Sequence, residues 1–64
     1  MKIVLNGEPR EVEAETLSAL LAECGLSGRV ATAVNESFVP ASLRGAHRLN
    51  DGDRVEVLAP MQGG

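Results

Sequence analysis

Apolar and polar residues alternate along this chain with two different periods, and the switches between them mark out its elements. Lys2-Ile3-Val4-Leu5 is a short β-prone run closed by Asn6-Gly7, the pair best suited to a type I′ hairpin turn, whose central positions both need φ > 0. The return arm, Glu8 to Ala14, sets Arg10, Val12 and Ala14 against Glu11 and Glu13, the period-two pattern of a strand with one wet face. Pro9 lacks an amide donor, which places it at a strand start or on a sheet edge. The period then changes. Thr16 offers an N-cap hydroxyl, and Leu17, Leu20, Leu21 and Cys24 follow at the i, i+3, i+4, i+7 spacing of one helical face. Gly25 suits the left-handed residue just past a helix end, with Leu26 as its hydrophobic contact, so a helix of about two and a half turns is expected.

Beyond a loop at Ser27-Gly28, a third strand is predicted over Arg29 to Val34. Val30, Thr32 and Val34 alternate there with Ala31 and Ala33. Either set could face the helix, the bulkier one filling volume and the alanines permitting close approach. Asn35-Glu36 turns the chain, and Phe38-Val39-Pro40 reads as a brief strand that its proline keeps to an edge. Ala41 to His47 is irregular, with Leu43 as the expected anchor. Leu49 leads into the turn Asn50-Asp51-Gly52-Asp53, and a last strand over Arg54 to Ala59 sets Val55 and Val57 against Glu56 and Leu58. The order β-β-α-β-β-β implies an α+β fold, a mixed sheet with one helix packed on one face.

With 64 residues the chain is expected to form one domain over residues 1–59 and a flexible tail over 60–64. Such a domain buries roughly 60% of the surface its unfolded chain exposes, which leaves little room for a deep catalytic pocket. A net charge of −3 and a single aromatic residue, Phe38, argue against a nucleic-acid module, which needs basic stripes and stacking platforms. One cysteine cannot form an internal disulfide, and no apolar run approaches membrane-spanning length. A cytoplasmic protein, monomeric when free, is expected.

The candidate chemistry gathers in the final stretch. Pro60-Met61-Gln62-Gly63-Gly64 ends in an α-carboxylate beside two residues without side chains, so the tip can thread a narrow channel. A frayed end is the competing reading of the same residues. Elsewhere the residues read as structural. Cys24 falls on the leucine stripe and behaves there as a small hydrophobe. His47 has no second ligand at metal-binding spacing, and Asp51 and Asp53 belong to a turn rather than to an acid/base pair.

Four segments taken together carry a family resemblance: Ile3-Val4-Leu5-Asn6-Gly7-Glu8, Ala33-Val34-Asn35 followed by Val39-Pro40, Asp51-Gly52-Asp53-Arg54-Val55-Glu56-Val57, and Gly63-Gly64. In order and spacing they resemble the ThiS family, the sulfur carrier proteins of thiamin biosynthesis, along essentially the whole chain. The resemblance implies a ubiquitin-like β-grasp fold and a role as substrate rather than enzyme. It implies that an E1-like adenylating enzyme of the ThiF type uses ATP to activate the Gly64 carboxylate, which sulfur from a donor protein converts to a thiocarboxylate. Thiazole synthase, of the ThiG type, would then take that sulfur. No cofactor or metal would be bound by the carrier itself. Pro60-Met61-Gln62 departs from the aliphatic residue and alanine that family tails often carry, and Ser42 to Arg48 matches only loosely.

If Ile3, Leu5, Val55 and Val57 point into the core, alternation sends Val4 and Leu58 to the opposite face. Neighbouring first and last strands would bring those two together as a docking patch beside the tail. Two other functions fit the same features: a sulfur carrier for molybdopterin or another sulfur pathway, and a β-grasp interaction module with an incidental Gly-Gly ending.

Overall fold

The computed structural model describes residues 1–26 and 29–59. The expected loop at Ser27-Gly28 and the tail at residues 60–64 lie outside the described residues. Strands β1 (Lys2–Leu5) and β2 (Glu8–Glu11) precede helix α1 (Leu17–Glu23); β3 (Ala31–Val34), β4 (Ser37–Val39), a 3-10 turn at Ala41–Leu43 and β5 (Arg54–Leu58) follow. They form one five-stranded sheet in the order β2-β1-β5-β3-β4. β5 runs parallel to β1 and antiparallel to β3, while β2 and β4 are the antiparallel edges. This is the β-grasp arrangement: the last strand enters the middle of the sheet, and the helix covers one face.

The Asn6-Gly7 turn takes the expected conformation, with φ of 50° and 85°. Pro9 sits on the β2 edge, where its missing donor costs no ladder bond. Thr16 caps α1 by accepting from the Ala19 N–H at 3.2 Å. The helix stops in a Schellman motif: the Leu26 N–H donates to the Leu21 carbonyl at 2.8 Å and the Gly25 N–H to that of Ala22 at 3.2 Å. Gly25 sits at φ 69°, the left-handed region this stop requires.

Ile3, Leu17, Leu20 and Val55 are fully buried at the centre of the core, with Leu5, Val12, Leu21, Val34, Val39, Leu49 and Val57 around them. Each such side chain contributes about 1.5–3 kcal/mol relative to leaving it exposed. On β3 the bulkier set faces the helix: Thr32 and Val34 are buried and Ala31 is exposed. Cys24 is half-buried against the core, as the leucine stripe implies.

Three expectations change. The return arm is a strand only to Glu11, and its four residues, Arg10 among them, are all exposed; Val12 and Ala14 are buried after the chain has left the sheet edge. Helix α1 spans seven residues, about two turns, because Cys24 already caps it. Leu43 does not anchor its segment, since 55% of it is exposed. Arg44 does so instead, its guanidinium donating to the Thr32 hydroxyl at 3.0 Å and to the Val30 carbonyl.

Candidate functional site

The segment that leads to residues 60–64 is β5, and the fold holds it on both sides. Its buried residues, Val55 and Val57, are packed beneath the helix, whereas Arg54, Glu56 and Leu58 are exposed on the open face. The backbone of β5 bonds β1 through the Val4 N–H on the Asp53 carbonyl and the Asn6 N–H on that of Val55, both at 2.9 Å. β1 ends at Leu5, before β5 does, and the side chain of Asn6 continues the ladder. Its Oδ1 accepts from the Val57 N–H at 2.8 Å and its Nδ2 donates to the Val57 carbonyl at 3.2 Å. Asn35 does the corresponding work at the start of β5, on the β3 side: its backbone N–H donates to the Arg54 carbonyl at 2.7 Å, and its Oδ1 accepts from the Arg54 N–H at 2.9 Å.

The turn before β5 is also tied down. Asp53, buried, accepts from the Asn50 N–H at 2.8 Å and from Asn35 Nδ2 at 3.0 Å. Asp51 accepts from the Lys2 N–H at 2.7 Å. Both aspartates thus serve the turn, as their sequence context implies. Among the described residues no cluster of histidine, cysteine, aspartate or glutamate could hold a metal ion. His47 is half-buried, and its carbonyl accepts from the Leu17 N–H at 2.9 Å.

The predicted docking pair separates. Val4 and Leu58 do share the open face, but Val4 is in register with Arg54 and Leu58 with Ala31. Those positions are four residues apart on β5, about 13 Å along the strand. Alternation assigns a residue to a face and is silent about cross-strand register, so the sequence could not show this. Val4 borders a hollow that it shares with Gly7, Glu36, Arg54, Val55 and Glu56. Leu58, 65% exposed, lines an open groove of about 470 Å³ with Arg29, Val30, Ala31 and Ala59. Two strands over, Phe38 is 68% exposed opposite Ala33, so the small side chains of Ala31 and Ala33 leave low ground between it and Leu58. The sequence pattern does not single out Phe38 as a surface residue; alternation places it on the face opposite Val39, and Val39 is the buried one of the two. Of the tail residues, Pro60, Met61, Gln62, Gly63 and Gly64 lie outside the described residues. The last residue before them, Ala59, is exposed at the rim of the apolar groove.

The sequence of residues 3–64 matches the ThiS family. The sulfur carrier protein ThiS of Thermus thermophilus is 46% identical over 61 residues, an alignment that covers 94% of this chain and 95% of that protein. A thiazole synthase of Paramagnetospirillum magneticum is 44% identical over 66 residues; the match takes in all of this chain and 20% of the synthase, so the chain spans about a fifth of that relative's length. Among solved structures, the crystal structure of the thiamine biosynthesis protein (ThiS) from Geobacter metallireducens superposes with a TM-score of 0.85 at 30% identity, covering the whole of both chains. The solution structure of a thiamine biosynthesis protein from the same organism gives 0.81 at 28% identity, covering 100% of this chain and 88% of the other.

Proposed function

The chain belongs to the ThiS family, and from that membership we propose that it is a sulfur carrier of thiamin biosynthesis, a substrate of other enzymes rather than a catalyst. The observation that carries the reading is the pairing of an almost full-length sulfur carrier relative with a fold whose central strand ends at Leu58, a few residues before the Gly63-Gly64 ending of the sequence.

A carboxylate is a poor electrophile. In the proposed cycle an adenylating enzyme joins the Gly64 carboxylate to the α-phosphorus of ATP and releases pyrophosphate. Hydrosulfide then attacks the acyl carbon. The new C–S bond replaces the C–O bond to AMP, AMP leaves, and a proton is released to give the thiocarboxylate. Splitting the transfer in this way turns one hard substitution into two easier ones. ATP belongs to the partner enzyme, as does stabilisation of the developing oxyanion. The carrier contributes a thin tip on residues 60–64, launched from a domain over residues 1–59, and a face around Leu58 for partners to grip.

Thiazole synthase is the proposed acceptor of the sulfur. Support comes from the Paramagnetospirillum magneticum synthase, in which a segment similar to this whole chain is part of the synthase polypeptide. Joining carrier and acceptor in one chain raises their effective concentration, which is useful only for proteins that must meet.

Reconstitution with an adenylating enzyme, ATP, sulfide and a thiazole synthase tests the reading. Thiazole should form with this chain and fail to form with a variant lacking Gly64. Equal product from the two would remove the carboxylate from the mechanism. If the charged carrier instead serves only a molybdopterin synthase, the pathway is wrong and the carrier chemistry stands.

A further inference from the structure

We infer that Asn6 is a positioning residue for the transfer, fixing the exit end of β5 from which the tail departs. The inference rests on the carrier reading above. A strand that must present a tip to an enzyme needs its last residues held, yet β1 turns away at the hairpin before β5 ends. The Val57 N–H and carbonyl, two residues before Ala59, would then meet solvent on the β1 side. The Asn6 carboxamide supplies both partners, an acceptor at 2.8 Å and a donor at 3.2 Å, and so replaces one missing rung of a parallel ladder. A carboxamide is the side chain that reproduces a peptide group's donor and acceptor.

Two further features make this assignment specific. Asn6 has φ 50°, a region that asparagine tolerates better than other side-chain-bearing residues, so one residue serves both the turn and the strand. Asn35, with φ 51°, makes the matching contact at Arg54, the opposite end of the same strand. It therefore provides an internal control: a similar side chain in a similar turn holding the end of β5 that does not lead to the tail.

If the exit end is loosened, the partner enzyme must order it on binding, which weakens association and leaves the chemistry of the bound carboxylate unchanged. Asn6→Gly keeps the turn, since glycine accepts positive φ, and removes the clamp. Asn6→Gly should raise the KM for the carrier in thiocarboxylate formation by about five- to tenfold with kcat within about twofold, the scale of losing two hydrogen bonds. Asn35→Gly should lower thermal stability to a similar degree and leave KM unchanged.

Amide hydrogen exchange on the carrier alone provides the second measurement. Asn6→Gly should speed exchange at Val57 by about tenfold, and Asn35→Gly should not. Equal KM for wild type and Asn6→Gly, equal KM increases in the two variants, or unchanged Val57 exchange in Asn6→Gly would each overturn the inference. Absence of thiocarboxylate in the wild-type reaction would instead count against the carrier reading, and the exchange result would still decide whether Asn6 holds the strand end.

Discussion

At the scale of single residues, much of this small domain's specificity comes from polar groups that complete backbone patterns. Thr32 is 1% exposed, and its hydroxyl both donates to the Val39 carbonyl at 2.7 Å and accepts from Arg44 Nε at 3.0 Å. Thr32→Val is nearly isosteric and more apolar, yet it would strand those two partners. A loss of about 1–3 kcal/mol is expected, because the desolvation cost of an unpaired buried group exceeds the gain from one methyl; chemical denaturation measures it. Glu36 presents the opposite case. It occupies the left-handed region at φ 72°, which costs a side-chain-bearing residue about 1–2 kcal/mol. Its compensation is an exposed 3.5 Å pair with Arg54, worth at most about 1 kcal/mol. Glu36→Gly should therefore leave stability unchanged or raise it by up to about 1 kcal/mol, after the roughly 0.5–1 kcal/mol entropic cost of glycine. A clear drop in the denaturation midpoint would show that the pair matters more than the strain.

At the scale of elements, β5 decides where function can be displayed. Its inner residues lock it beneath the helix and its outer residues share a face with Ala31, Ala33 and Phe38. Leu58→Asp should leave the melting temperature nearly unchanged, since the side chain is already solvated. It should also weaken binding to the adenylating enzyme by about tenfold or more, the scale of an interface hot spot. Val4→Thr, about 13 Å away, should leave that affinity within about twofold; calorimetry on the two variants checks both. Unaltered affinity in Leu58→Asp would take the groove out of the docking site.

Much of this layer was legible in the sequence. Leucine spacing placed the helix, Gly25 its end, Asn6-Gly7 the hairpin, and Pro9 and Pro40 the edges, because each rests on a local constraint of backbone or period. What remained illegible depended on distant partners. The register that separates Val4 from Leu58 follows from how β1 and β5 align across some fifty intervening residues. Arg44 replaces Leu43 as anchor because Thr32 and the Val30 carbonyl happen to lie within its reach. The clamps at Asn6 and Asn35 use side chains that local rules read only as turn formers.

At the scale of the whole molecule, the proposed carrier divides the work between the folded residues up to Ala59 and the Gly64 carboxylate. Among the described residues no metal cluster is present and no helix is long and apolar enough to cross a membrane. Cys24, the other group that could carry sulfur, is half-buried beside the leucine stripe. The central claim is that sulfur is carried on the Gly64 carboxylate. After incubation with an adenylating enzyme, ATP and sulfide, cleavage after arginine separates residues 55–64 from residues 11–29, which contain Cys24, and each peptide can be weighed. The account predicts that the 55–64 peptide gains about sixteen mass units, oxygen replaced by sulfur, with the 11–29 peptide unchanged. An unchanged 55–64 peptide, from an adenylating enzyme that thiocarboxylates another ThiS-family carrier under the same conditions, would contradict it.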